Sequence, residues 1–232
     1  FITEHKNVFY DFFKNRNLEK LKNILDEYET EKLNKIKLFH LCFEGNLSEV
    51  EKIFRLYNID PDLVNELPTI TSIEELDGEI YKSTRNLGQT LLVIACLSDK
   101  SEMVKYLISK GANVNKVSGD GKSPLMVACK NGNLEIVKLL IENGADIKLK
   151  NIHDLNNKAL MYACYSNNDC VDIVKLLLRN GAKINEKNNF SETGLIIAAK
   201  KGNLEIVNFL VAKRANINDI DKDNMSAFMM SV

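Results

Sequence analysis

Residues 120–146 read DGKSPLMVACKNGNLEIVKLLIENGAD, and the punctuation of this stretch decides the fold. Ser123 followed by Pro124 marks a helix start, because the hydroxyl can cap free amide groups and proline at the first helical position has no N–H to leave orphaned. Apolar residues follow as far as Cys129. Gly132 then stops the helix, since glycine enters the left-handed conformation without a Cβ penalty. Asn133 or its neighbour opens a second helix, predicted over 134–142 and ending at Gly144. Leu134, Ile136, Val137, Leu139, Leu140 and Ile141 give that helix an apolar stripe too wide for one neighbour. It needs partners on two sides, so the unit should recur along the chain.

It recurs residue by residue. Segments 87–119, 120–152 and 190–222 are each 33 residues long, and 153–189 repeats the pattern with four more. The second helix returns as Ser101-Glu-Met-Val-Lys-Tyr-Leu-Ile, Leu134-Glu-Ile-Val-Lys-Leu-Leu-Ile, Val171-Asp-Ile-Val-Lys-Leu-Leu-Leu and Leu204-Glu-Ile-Val-Asn-Phe-Leu-Val. Each copy closes on Gly111-Ala-Asn-Val-Asn, Gly144-Ala-Asp-Ile-Lys, Gly181-Ala-Lys-Ile-Asn or Arg214-Ala-Asn-Ile-Asn. Period, helix pair and turn together resemble the ankyrin-repeat family over roughly two thirds of the chain. The resemblance implies an all-α solenoid of stacked antiparallel helix pairs with β-turn or hairpin fingers, and a role in binding other proteins.

The expected organisation is one elongated domain of about six and a half units. Residues 1–33 form a degenerate N-terminal capping repeat, and 34–86 a repeat carrying a long acidic insertion at about 65–86. Repeats follow at 87–119, 120–152, 153–189 (expanded) and 190–222, and 223–232 begin a further unit. The insertion holds Glu66, Glu74, Glu75, Asp77 and Glu79 against Lys82 and Arg85. It is either a tolerated surface loop, cheap in closure entropy, or a finger that meets a partner through Ile73, Leu76 and Tyr81. The expanded repeat gains two residues in its finger turn and two between its helices. Arg214 stands where the other turns have glycine, and a side chain in left-handed backbone costs on the order of 1 kcal/mol, so rearrangement of that corner is expected. Phe1 is not an initiator and Val232 falls inside the outline of another first helix, so further chain is expected at both ends.

Composition narrows the function classes. Lys plus Arg number 31 and Asp plus Glu 32, a balance that points neither to nucleic acid nor to an acidic membrane surface. No apolar run approaches the roughly 20 residues that cross a bilayer. Cys42, Cys96, Cys129 and Cys164 fall at one repeat position and are expected in the core, whereas Cys170, in the expansion, is expected to be exposed. Reduced thiols suggest a cytoplasmic setting. The wealth of Asn, Lys and Ile hints at an AT-rich genome, such as that of an intracellular bacterium, a protist or a large virus, with delivery into a host cell if so.

Chemistry is sparse. Gly121-Lys122-Ser123 resembles the tail of a phosphate-binding loop, but Lys116 stands where that loop needs glycine, and the sister repeats place a helix cap there. His5, His40 and His153 belong to different repeats and cannot converge on a triad or a zinc site. No catalytic residue, metal, cofactor or small-molecule substrate is expected. In the family pattern the first helix begins Thr-Pro-Leu-His. Here the His position holds Val93, Met126, Met161, Ile196 and Met229, so apolar packing is expected to replace the hydrogen bonds that link neighbouring repeats.

The resemblance places partner contacts in a concave groove made by turn tips and first-helix ends. Carried over by position, these are Leu87, Gln89, Leu97, Ser98, Lys122, Lys130, Asn131, His153, Tyr165, Ser166, Phe190, Glu192, Lys200 and Lys201. The expected function is a non-catalytic scaffold for a protein partner. The alternative is the substrate-recognition arm of a larger enzyme or ligase adaptor. A weaker idea, nucleic-acid binding, would use Lys122, Lys130, Lys200 and Lys201.

Overall fold

The computed structural model describes residues 38–39, 41–57, 59, 89–166 and 170–231. The capping unit at 1–33 with His5, His40, the insertion at 65–86 with Ile73, Leu76 and Tyr81, and Leu87 lie outside the described residues. Helical residues at 41–44 precede α1 (Leu47–Tyr57). Then come α2 (Leu91–Leu97), α3 (Ser101–Ser109), α4 (Pro124–Asn131), α5 (Leu134–Glu142), α6 (Ala159–Tyr165), α7 (Val171–Arg179), α8 (Gly194–Lys201) and α9 (Leu204–Ala212), closed by a 3-10 turn at Met229–Ser231.

The helices stack in two layers. α2, α4, α6 and α8 each pack on the next, α3, α5, α7 and α9 form the second row, and each first helix packs on the second helix of its own repeat. The burial pattern follows from this geometry. In α4 every residue from Pro124 to Cys129 is buried, because the helix has a neighbour on three sides. α5 buries Ile136, Val137 and Leu140 fully, with Leu134, Leu139 and Ile141 half-buried against the same core. That is the two-sided contact its wide stripe demanded. Each fully buried aliphatic side chain of this kind contributes about 1.5–3 kcal/mol.

Local signals set the helix ends. Thr90, Ser123 and Thr193 accept hydrogen bonds from the amides of Val93, Met126 and Ile196 at 3.0, 3.3 and 3.3 Å, and Asn133 accepts one from Ile136 at 3.0 Å. The Gly-Lys-Ser triplet is thus a cap. Gly132 ends α4 in the left-handed conformation. In the expanded repeat Lys158 stands at the cap without a side-chain bond and pairs instead with Glu186.

Three expectations change. First, Cys170 is buried, 1 % exposed, and not at the surface. It sits directly before α7, near enough to Cys129 and Cys164 that its charge would add to the burial that already pushes those two thiols up. All five cysteines are buried free thiols. Burial pushes Cys42 and Cys164 up to about 12.

Second, the corner at Arg214 keeps the shape of its relatives. Arg214 holds φ 64° where Gly144 has φ 85°. The next amide closes the turn identically, Ala215 onto Leu210 and Ala145 onto Leu140, both at 2.9 Å.

Third, apolar packing does not carry cohesion between repeats alone. Val93, Met126, Met161 and Ile196 are buried as expected. Asparagines add the polar links. Asn131 Nδ2 donates to the carbonyls of Cys96 and Leu97, and Asn203 Nδ2 to those of Cys164 and Ser166 at 3.1 and 2.7 Å. Asn115 accepts from the amide of Asp146 at 2.7 Å, and Asn185 from that of Asn216 at 2.9 Å. The carbonyls at a helix end have no intrahelical donor, so an amide side chain one repeat on can satisfy them.

Candidate functional site

Between one second helix and the next first helix the chain makes a finger. Main-chain bonds close the regular fingers from Ser118 to Lys122, Asn188 to Glu192 and Asp221 to Met225, at 2.9, 3.0 and 3.0 Å. The finger of the expanded repeat runs from Asn151 to Asn157, two residues longer, with an antiparallel bridge across its base. One side chain organises each turn: Asn188 Oδ1 accepts from the amides of Phe190 and Glu192, and Asp221 Oδ1 from those of Asp223 and Met225, all at 2.9 Å.

Successive fingers are joined. The amide of Asn189 donates to the Leu155 carbonyl at 2.8 Å and that of Lys222 to the Phe190 carbonyl at 2.9 Å. Asn188 Nδ2 bridges Asn157 Oδ1 and Glu192 Oε2 at 2.9 and 2.8 Å. Lys200 Nζ then spans Glu192 at 2.7 Å and Asp221 at 3.4 Å. The bond from Glu192 is the main reason that Lys200 holds its proton more tightly than a free lysine. Burial works against ionisation of Asp221, but the two amides and Lys200 outweigh it and hold the carboxyl below its ordinary value.

Gly121 shows how close the packing is. At φ 76°, a Cβ there would lie 2.3 Å from Asn151 Oδ1 and 2.9 Å from His153 Cδ2, so only glycine fits beneath the next finger.

The proposed contact residues separate into two groups. Gln89 is buried, 9 % exposed. Asn131, Glu192 and Lys200 are engaged in the links above, and Lys122 pairs with Asp120. Asn131, Glu192 and Lys200 thus join neighbouring repeats, Lys122 is tied down within its own finger, and the Oε1 of buried Gln89 has no hydrogen-bond partner among the described residues. Lys130, Tyr165, Lys201, Phe190 and His153 remain outward. Tyr165, 47 % exposed at the end of α6, lies under Lys201 Nζ at 3.7 Å from its ring centroid, with Lys130 Nζ at 6.0 Å. Lys222 Nζ stands 5.5 Å from the centroid of Phe190, which is 42 % exposed.

Sequence reasoning missed Ile152, 74 % exposed, and Leu155, two outward apolar residues of the expanded finger. Leu155 was findable, since it occupies the finger position of Phe190 one repeat earlier. Among the described residues no group of His, Cys, Asp and Glu side chains could hold a metal ion, and no helix is long and apolar enough to cross a membrane.

Comparison with known families supplies the class. A family profile described as ankyrin repeats in three copies matches residues 38–151 and 153–232, and one described as ankyrin repeats in many copies matches 126–178. A comparison with curated proteins returns no match. Two stacked helix layers, finger turns joined from repeat to repeat, and a profile match across most of its length agree: the chain belongs to the ankyrin-repeat family.

Proposed function

We propose that this chain is a non-catalytic scaffold that holds a partner protein along the row of first-helix ends and fingertips, centred on Tyr165. The family is one of protein-interaction modules. The observation that carries the reading is Tyr165 standing exposed between Lys130 and Lys201. Cations over an aromatic face contribute about 0.5–1 kcal/mol at exposed sites. They also order the ring before any partner arrives, which lowers the entropic cost of binding. Large aromatic anchors of this kind dominate protein interfaces.

The contact surface on this reading is Lys130, His153, Tyr165, Phe190 and Lys201, widened by Ile152 and Leu155. Nucleic acid is the poorer partner, because Lys122 and Lys200 already spend their charge on Asp120, Glu192 and Asp221. Five buried free thiols fit a reducing compartment such as the cytoplasm.

The test is affinity capture with mass spectrometry, using the wild type beside a variant carrying Lys130→Ala, Tyr165→Ala, Phe190→Ala and Lys201→Ala. Lys200 is left intact because it joins two fingers. The variant should keep its helical circular dichroism and melting temperature and lose the proteins that the wild type enriches. An unchanged set of captured proteins would show that the surface lies elsewhere.

A further inference from the structure

A cleft of about 520 Å³ opens in the second helix layer, between the C-terminal ends of α7 and α9. Leu178, Ile184 and Phe209 form its apolar floor, and Lys175, Arg179 and Lys213 stand around it. None of these residues belongs to the groove described above. Lys175 is paired with Asp172 at 2.8 Å. Arg179 and Lys213 have no carboxylate within ion-pair distance among the described residues. Lys175 and Lys213 also bracket the Phe209 ring, with Nζ at 5.8 and 5.9 Å from its centroid.

The repeat register shows what this space accepts. Counted from the helix starts, Tyr106 and Lys110 of the α3 repeat correspond to Phe209 and Lys213, while Phe54 and Arg55 of α1 correspond to Leu178 and Arg179. At the α1–α3 junction the place is filled. The ring of Phe54 meets that of Tyr106 edge to face, with centroids 5.6 Å apart and planes at 79°, and Lys110 Nζ lies 5.3 Å over Tyr106. At the α7–α9 junction the aromatic and the lysine are kept, but Leu178 is smaller than Phe54, and the ring that would complete the edge-to-face pair is missing. The charge differs as well: Glu51 of α1 corresponds to Lys175 of α7, so an acidic position has become basic.

We propose that this cleft is a second docking site, for an aromatic side chain flanked by carboxylates on a segment of a partner protein. The aromatic ring takes the place that Phe54 fills at the first junction, against Phe209. The flanking carboxylates meet Arg179 and Lys213, neither of which has an ion-pair partner among the described residues, although Arg179 lies within electrostatic reach of Asp172. A protein segment fits better than a free small molecule because the cleft is open to solvent on one side. Small-molecule sites enclose most of their ligand's surface, whereas a side chain that reaches in from a larger surface brings its own cover.

The experiment is a methyl and amide NMR titration of the protein with the capped peptide Glu-Glu-Phe-Glu-Glu. Saturable shifts should centre on Leu178, Ile184 and Phe209. Replacing the peptide's Phe by Ala, or its four Glu by Lys, should weaken binding at least tenfold, and so should the double variant Arg179→Glu/Lys213→Glu. Leu178→Phe supplies the missing ring from within, and should block the peptide while leaving the melting temperature equal or higher. Tyr165→Ala should leave binding unchanged, which separates this site from the groove. Absence of shifts, equal binding of the Lys-flanked peptide, or unimpaired binding to Leu178→Phe would overturn the proposal. Binding of phenylacetate as tight as that of the peptide would overturn it too, because the site would then serve free aromatic acids.

Discussion

Asn131 Nδ2 lies 3.0 Å from the carbonyl oxygen of Leu97 and 3.2 Å from that of Cys96, so a side chain at the end of α4 holds the end of α2 one repeat away. Its place at the end of a first helix would suit partner contact, yet the amide is already committed. Asn131→Ala should therefore lower stability by about 1–2 kcal/mol, the cost of leaving helix-end carbonyls with a lost donor. Urea unfolding measures it. Partner capture through Tyr165 should survive the substitution.

The expanded finger depends on one hydroxyl. Tyr162 donates to Asp154 Oδ2 at 2.6 Å and accepts from Asn151 Nδ2 at 2.9 Å, and Asn151 is 0 % exposed. Burial, reinforced by the bond to Asp154, raises the phenol well above its ordinary value. Tyr162→Phe keeps the ring and strands the Asn151 amide, so it should cost about 1–3 kcal/mol. Amide hydrogen exchange should accelerate across 151–157 before it changes in α4.

Acid should loosen the last finger. The carboxyl of Asp221 is held below its ordinary value of 3.8, so the stability it contributes is complete above that value and is lost as pH falls through the lower folded one. Asn188 performs the same two backbone bonds in the preceding finger without a charge. Asp221→Asn should therefore preserve the turn and flatten the acid limb of a stability-versus-pH curve between about pH 5 and pH 2. An acid limb as steep in the variant as in the wild type would exclude this role.

Arg214 pays a conformational cost that glycine would avoid. Its φ of 64° matches the glycine turns, and Gly144 has open space around the position of a Cβ, so the penalty at this corner is one of backbone alone. Arg214→Gly should be neutral to stabilising by up to about 1 kcal/mol, after allowance for the greater freedom of glycine in the unfolded chain. Gly144→Arg should destabilise by about 1–2 kcal/mol. Paired thermal melts compare the two.

The helix pairs were legible in the chain because their determinants are local. Ser123-Pro124, Gly132, Asn133 and the apolar stripe from Leu134 to Ile141 act within a turn or two of backbone, and their recurrence every 33 residues announces stacking. Which rim side chains are free for contact was not legible. Position in the repeat put Tyr165, Lys130 and Lys201 at first-helix ends, but it put Asn131 and Lys200 there too and Glu192 on a finger, and the solenoid uses these three for its own cohesion. Register cannot separate the two groups, since both are polar residues at one rim.

What the sequence by itself determined is the unit, its caps and its repetition, and hence the family. Tertiary structure alone decided which polar side chains are consumed between repeats, that Cys170 turns inward, and that Leu178 leaves space beside Phe209. Each of those outcomes depends on distances between residues some 30 positions apart. Packing sets these distances, and no local propensity encodes them.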